Sequence, residues 1–316
     1  MGTNTVEHPT MKKELSIHEA RLQPGQRHNR CPFMYFSLHL CKDSHMKDIM
    51  LNDQISIPQL GFGTWQIPLA EAEHSVADAL AVGYRHIDTA DIYGNHRGVG
   101  RGIKSSGLRR SDIFLTTKVW NSDHAPDAVR ASTLRFLEEL GTEYIDLLLI
   151  HWPTGDVPVA ETLHAMDELQ KEGIVRAVGV SNFTAHHLED ALASGVAIVN
   201  NQVEIHPLFN QEALRAACAS LGISVTAYSP LGHGADLKDP VILELSEKYR
   251  GSPAQIALNW VMAQDMIAIP KSVHPDRIRD NFAASAWTMD EADLARIDAL
   301  PQGPRTCDPH FNEFDY

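Results

Sequence analysis

Between Tyr84 and Trp120 the chain reads YRHIDTADIYGNHRGVGRGIKSSGLRRSDIFLTTKVW, and three of its residues could together move a proton: Asp88, Tyr93 and Lys118. Each stands at or just past the end of an apolar run. A phenol has an ordinary pKa of about 10, so using one as a donor at neutral pH requires something that stabilises the phenolate. A buried ammonium within a few ångströms supplies that stabilisation, and a carboxylate keeps the ammonium charged. His151, in LIHWP, closes another apolar run and completes the group. Taken singly, each residue has a commoner explanation: a helix cap for the aspartate, core for the tyrosine, a solvated charge for the lysine. Chemistry is favoured because four polar residues recur at the same place on successive strands.

The elements that must position them follow from hydrophobic patterning. MLNDQISI reads as a short hairpin turning on Asn52-Asp53. Eight apolar strands follow: LGFGTW, HIDTA, DIFLTTK, IDLLLIH, VRAVGVSN, VNNQVEI, SVTAYSP and IAIPKS. Helical stretches separate them, at 70–82, 98–105, 126–140, 159–172, 185–193, 211–220, 241–249 and 253–263, and a last pair follows at 275–285 and 290–300. In the 126–140 helix, Pro126 suits the first turn and Leu134, Leu137 and Leu140 are read as the apolar side. Continuously apolar strands alternating with helices predict an α/β fold, a closed (β/α)8 TIM barrel with an N-terminal hairpin. An open doubly wound sheet is the alternative. The strand ends carry Thr64-Trp65, Asp88, Lys118, His151, Ser181-Asn182, Gln202, Tyr228-Ser229 and Lys271-Ser272, and in a barrel these share the face where active sites lie.

Other motifs are weighed against that frame. GVGRG (98–102) lacks the G-x-G-x-x-G spacing and the later acid of a dinucleotide turn, so its glycines are read as close helix packing. PKSVHPDRIRDN offers Lys271, Ser272, Arg277 and Asn281 at the last strand and its helix start, an anion site suited to the 2′-phosphate of NADP. A solvated helix face is the alternative there. Ser181, Asn182 and Gln202 suit a planar carboxamide, Tyr228 a flat heterocycle, and Trp65, Trp120 and Trp152 the walls of a substrate cleft. No metal site is expected, because His86 and Asp88 do not give the paired histidines of barrel metallohydrolases. A glycosidase pair of Asp88 with Glu204 or Asp91 would leave Lys118 and the Lys271/Arg277 cluster unexplained.

Composition sets the outer limits. Forty-one acidic against 27 basic residues give a net charge of -14, which disfavours nucleic acid as a partner. No apolar run approaches the ~20 residues that span a bilayer. The cysteines (Cys31, Cys41, Cys218, Cys307) form no tight framework, which predicts reduced thiols in a cytoplasmic protein. Residues 1–45 show no sustained periodicity and are read as a disordered or non-native N-terminal extension, with the working protein starting near Met46 or Met50 and a single domain over 46–316.

GYRHIDTADIYGN, TTKVW, DLLLIHWP, VGVSNF, NQVEIHP, AYSPLG and IPKSVHPDRIRDNF, in this order along nearly all of residues 50–300, resemble the aldo-keto reductases. The short loop after LIHWP is similar to that of the bacterial 2,5-diketo-gluconate reductases in particular. The resemblance implies a (β/α)8 barrel that binds NADPH/NADP in extended form without a Rossmann fold. It implies a catalytic tetrad of Asp88, Tyr93, Lys118 and His151. Thr64, Asp88, Ser181, Asn182 and Gln202 would face the nicotinamide, with Tyr228 stacked on its ring and Ser229 and Leu231 along the pyrophosphate. Lys271, Ser272, Arg277 and Asn281 would hold the 2′-phosphate and adenine, although Asp280 stands where many members have Glu. Residues 1–45 have no counterpart in the family.

The activity so implied is reduction of aldehydes and ketones, with 2,5-diketo-gluconate or a methylglyoxal-like carbonyl as the small-molecule partner. Tyr93 would be the proton donor, with its pKa lowered by Lys118, and a monomer is expected. The stretches that would select the substrate are 121–127, 154–157, 232–239 and 306–316. The rival reading is a cofactor-binding regulatory subunit with little turnover, against which the intact tetrad argues.

Overall fold

The computed structural model describes Met1, Gly2 and residues 47–316; the expectations for the N-terminal extension and for a start at Met46 lie outside the described residues. Strands β1 (Asp48–Met50) and β2 (Ser56–Pro58) pair antiparallel, Asp48 with Pro58 and Ile49 with Ile57. The turn between them is longer than two residues: Leu51 N donates to Ile55 O at 2.8 Å, and Asn52 Oδ1 accepts from Gln54 N and Ile55 N at 2.9 and 2.8 Å. Met50 is the last residue of β1, so ordered structure begins before it.

Eight parallel strands follow: β3 (Phe62–Gly63), β4 (His86–Asp88), β5 (Phe114–Val119), β6 (Ile145–Ile150), β7 (Val175–Ser181), β8 (Asn200–Glu204), β9 (Ser224–Tyr228) and β10 (Ile267–Ala268). They are hydrogen-bonded in chain order from β3 to β10. Leu60 closes the circle by bridging Ala268 in parallel, with Gly61 N on Ala268 O at 2.8 Å and Ala268 N on Gln59 O at 2.9 Å. The barrel is therefore closed, as the alternation predicts, and the open sheet is excluded.

Helices α1 (Leu69–Val82), α2 (His96–Ser105), α3 (Pro126–Leu140), α4 (Val159–Lys171), α5 (Ala185–Leu192), α6 (Glu212–Ser220), α7 (Pro240–Tyr249), α8 (Pro253–Ala263), α9 (Pro275–Ala283) and α10 (Glu291–Asp298) surround it. Sequence-local signals set several of their starts. Ser252 caps α8 by accepting from Gln255 N, Asp239 caps α7 by accepting from Val241 N, and proline opens both. The glycines of α2 serve packing, as expected. A Cβ on Gly98 would come within 2.8 Å of Leu69 O in α1, and one on Gly100 would overlap Leu140 O at the end of α3. One expectation for α3 is wrong: Leu134 is exposed, and the buried stripe runs through Val129, Thr133, Phe136 and Leu140. Strong helix formers had masked the true period: Leu140 is buried and Leu137 partly so, but the rest of the inward stripe is phenylalanine, β-branched residues and Ser132.

Two apolar layers result. Leu148 and Ile150 of β6 join the helices in the large outer core. Leu147 and Leu149 alternate with them and point into the barrel, where they meet Phe114, Ala177, Ile267 and the hairpin residues Leu51 and Ile57. The hairpin thus stoppers one end. Continuing along the inward face by steps of two gives Lys118 after Phe114, His151 after Leu149 and Ser181 after Ala177. Strand period alone carries the polar residues to the opposite, open end.

Candidate active site

Lys118 is fully buried, and its Nζ donates to Asp88 Oδ1 at 2.6 Å and to Thr89 O at 2.9 Å. The same ammonium lies 3.4 Å from Tyr93 Oη. Asp88 is held from the other side, because its Oδ2 accepts from Gln202 Nε2 at 2.7 Å. Tyr93 rides on a single 3-10 turn, Asp91–Tyr93, directly after β4. His151 meets it edge-on, with ring centroids 5.8 Å apart. The four residues singled out from sequence therefore converge.

Their electrostatics differ from expectation in one respect. Burial, with Asp88 and Cys307 adding to it, holds the Tyr93 hydroxyl well above the usual phenol range, where a lowered value was expected from Lys118. The ammonium faces Asp88 more closely than the phenol, and desolvation outweighs what it contributes at Tyr93. Burial also draws the Lys118 ammonium below its ordinary value, with Asp88 working against that. Burial, then Lys118 and His124, push His151 well below 6.5, so its imidazole is neutral; its Nδ1 is buried with no partner among the described residues.

The residues assigned to the nicotinamide end form one interlocked set. Asn182, in a left-handed conformation (φ 63°), donates from Nδ2 to His151 O at 2.9 Å, and its Oδ1 accepts from Tyr228 Oη at 2.8 Å. Ser181 Oγ donates to Gln202 O at 2.7 Å and Thr64 Oγ1 to Asp88 O at 2.9 Å. Within this set Gln202 Oε1 accepts no hydrogen bond from the described residues. Ser229 (φ 47°) pairs its hydroxyl with His233 Nε2 at 3.0 Å, and Leu231 is half-buried beside it. At the far end Lys271 and Arg277 are exposed and ion-paired to nothing among the described residues, while buried Ser272 Oγ accepts from His274 N at 3.0 Å and Asn281 is buried in α9. Two unneutralised cations at a helix start fit a phosphate. Asp280 turns away, its carboxylate accepting from Gln255 Nε2 at 2.8 Å.

The aromatic walls converge too. Trp65 covers Tyr93 at 4.9 Å and Trp120 lies edge-on to His151 at 5.2 Å. Trp152 is joined by two residues that sequence reasoning missed, Phe311 at 5.4 Å and Phe314 at 5.6 Å, and Phe311 also meets Trp120. The tail was read as substrate-selecting, but its aromatic spacing has no period by which to single them out. Glu204, weighed from sequence only as a glycosidase carboxylate, instead holds the tail: it accepts from Thr306 N at 2.8 Å, from Thr306 Oγ1 and from Cys307 N at 2.9 Å.

The glycosidase alternative loses support. Glu204 is engaged by the tail and Asp91 by Arg135 at 2.7 Å, so neither carboxylate is free to act as the partner of Asp88. No group of three or more His, Cys, Asp or Glu residues suited to a metal occurs among the described residues. A cavity of about 530 Å³ lies behind the end of β6, between Ile150, Thr154, Val159, His187 and Glu313, and contains none of the four converging residues. Among the described residues no helix is long and apolar enough to cross a membrane.

Comparison with known proteins agrees with this geometry. The model of the aldo/keto reductase family matches residues 59–302. An aldo-keto reductase of Mycolicibacterium smegmatis is 44% identical over 259 residues, covering 81% of this chain and 94% of the relative. Methylglyoxal reductase DkgA of Escherichia coli K12 is 41% identical over 261 residues, covering 81% and 94%. Among solved structures, a putative 2,5-diketo-D-gluconic acid reductase B superposes with a TM-score of 0.81 at 37% identity, over 84% of this chain and 96% of that one. The Bombyx mori aldo-keto reductase in complex with NADP gives 0.80 at 34%, over 85% and 98%. With its barrel, its converging residues and a match over most of its length, the chain belongs to the aldo/keto reductase family.

Proposed function

We propose that this protein is an NADPH-dependent reductase of small aldehydes and ketones, with Tyr93 as the proton donor. The observation that carries the reading is the position of the Lys118 ammonium between Asp88 Oδ1 and Tyr93 Oη, beside a neutral imidazole. NADPH supplies the hydride that adds to the carbonyl carbon. Lys271, Ser272, Arg277 and Asn281 would hold its adenosine end, Ser229 and Leu231 its pyrophosphate, and Thr64, Asp88, Ser181, Asn182, Gln202 and Tyr228 its nicotinamide end.

The chain's own groups do the proton work. The neutral His151 points a ring nitrogen at the substrate oxygen and polarises it without competing as an acid. Tyr93 keeps its proton until the oxygen becomes an alkoxide, then transfers it from Oη and completes the alcohol. Lys118 holds the tyrosinate so formed, Asp88 holds Lys118, and solvent returns the proton. Trp65, Trp120 and Trp152 wall the cleft and exclude water from it. The similarity to a methylglyoxal reductase and to a diketo-gluconic acid reductase supports α-dicarbonyls and keto sugar acids as the substrate class. Loss of NADPH absorbance with methylglyoxal and with 2,5-diketo-gluconate tests this directly. Turnover of at least one is expected, whereas cofactor binding without turnover across a broad carbonyl panel would overturn the reading in favour of a regulatory subunit.

A further inference from the structure

Beyond the converging residues lies a second buried charge cluster. His206 Nδ1 is 2.9 Å from Asp236 Oδ2, and its Nε2 is 3.4 Å from Glu204 Oε1, at ion-pair range without hydrogen-bond geometry. The side chains are at most 3% exposed. Burial opposes charge on His206, but the two carboxylates prevail and push it up to about 9, while Glu204 is drawn down to about 2. The cluster therefore sets a charged imidazole between two carboxyl groups.

Each member belongs to a different part of the site. Glu204 ends β8 and receives three donors from the tail, Thr306 N, Thr306 Oγ1 and Cys307 N. Asp236 sits in the pair of 3-10 turns Gly232–Gly234 and Asp236–Lys238 that follow β9, next to Ser229 and Leu231. That segment is locally strained: Ser229, Gly232, His233 and Gly234 all have positive φ, of 47°, 52°, 52° and 89°. Left-handed non-glycine residues cost about 1–3 kcal/mol each, so tertiary contacts must hold the segment closed. Asp236 supplies them, accepting from Leu208 N at 3.2 Å as well as facing His206.

We propose that Glu204, His206 and Asp236 form a joint through which occupancy of the cofactor side and docking of the C-terminal tail reinforce each other, with His206 as the positioning residue. This rests on the reading that Ser229 and Leu231 lie along the cofactor. A closed segment sets Asp236 against His206, Asp236 keeps the imidazole charged, and the imidazolium keeps Glu204 ionised and able to grip the tail. By linkage the reverse also holds, so a docked tail tightens the cofactor side by the same factor. None of the three residues touches the reacting atoms.

Tryptic cleavage after Arg305, followed as release of the 306–316 peptide by mass, reads tail docking in the full chain. Saturating NADPH is expected to slow this cleavage roughly tenfold in the wild type, within the usual range of coupling between sites. In Asp236→Asn, which keeps the shape and removes the charge, protection should shrink below about threefold. Should that variant not fold, Glu204→Gln is expected to show the same loss from the other end, together with several-fold weaker NADPH binding by fluorescence titration. NADPH binding without protection in the wild type, or undiminished protection in a folded variant, would overturn the joint alone. No NADPH binding to the wild type would remove the cofactor reading and the joint with it.

Discussion

Two buried charge clusters, about as deeply enclosed as each other, hold their histidines in opposite states. At Asp88–Lys118–Tyr93–His151 one ammonium stands between an acid and a phenol, and the histidine beside it is neutral. At Glu204–His206–Asp236 the histidine is itself the cation, because its neighbours are carboxylates rather than an ammonium. Burial disfavours charge on both imidazoles, and the sign of the nearest charge decides the outcome. In the first arrangement the proton sits on a phenol beside an ammonium; in the second it sits on an imidazolium locked between two carboxyl groups, away from the converging residues.

The comparison breaks most sharply at the phenol. Tyr93→Phe is expected to bind NADPH as the wild type does and to lose roughly 10²–10⁴-fold in kcat, the usual contribution of a positioned acid. Retention of near-wild-type turnover would leave the first cluster with no more chemistry than the second. The ammonium comes next. Lys118→Met strands Asp88 as a buried unpaired carboxylate and is expected to destabilise the fold by about 3–5 kcal/mol in denaturant titration. Adding Asp88→Asn should recover part of that stability and none of the turnover.

The smallest effect is a pair of opposite slopes with pH. His206 has a folded pKa of about 9 against an ordinary 6.5, so its contribution is complete below pH 6.5 and is lost as pH rises through about 9. Glu204, at about 2 against 4.5, contributes above pH 4.5 and loses its contribution as pH falls through about 2. His151, lowered from 6.5, works the other way from His206: its contribution is present above pH 6.5 and is lost as pH falls below it. Between pH 6.5 and 9 the wild type should therefore lose roughly 1–3 kcal/mol relative to His206→Gln in thermal melts. Parallel melting curves for the two proteins across that range would show that His206 carries no charge.

The first cluster was legible in the sequence and the second was not, for a physical reason. Asp88, Lys118 and His151 end apolar strands, and strand period puts such residues on one face whatever the tertiary detail. Most helix bounds were legible on similar local grounds, with Pro126 and Pro253 at helix starts. Glu204 also ends a strand, yet its partners come from a tail 102 residues later with no periodicity, and Asp236 comes from a strained turn. Leu134 misled because leucine favours helix wherever it points. The Tyr93 pKa misled because sequence supplies the partners of a charge but not how far desolvation outweighs them.

The hairpin stopper at the closed end of the barrel has its own consequence. With Leu51 and Ile57 filling that end, the interior offers no through passage, so anything that reaches the reacting carbon must arrive and leave by a single mouth.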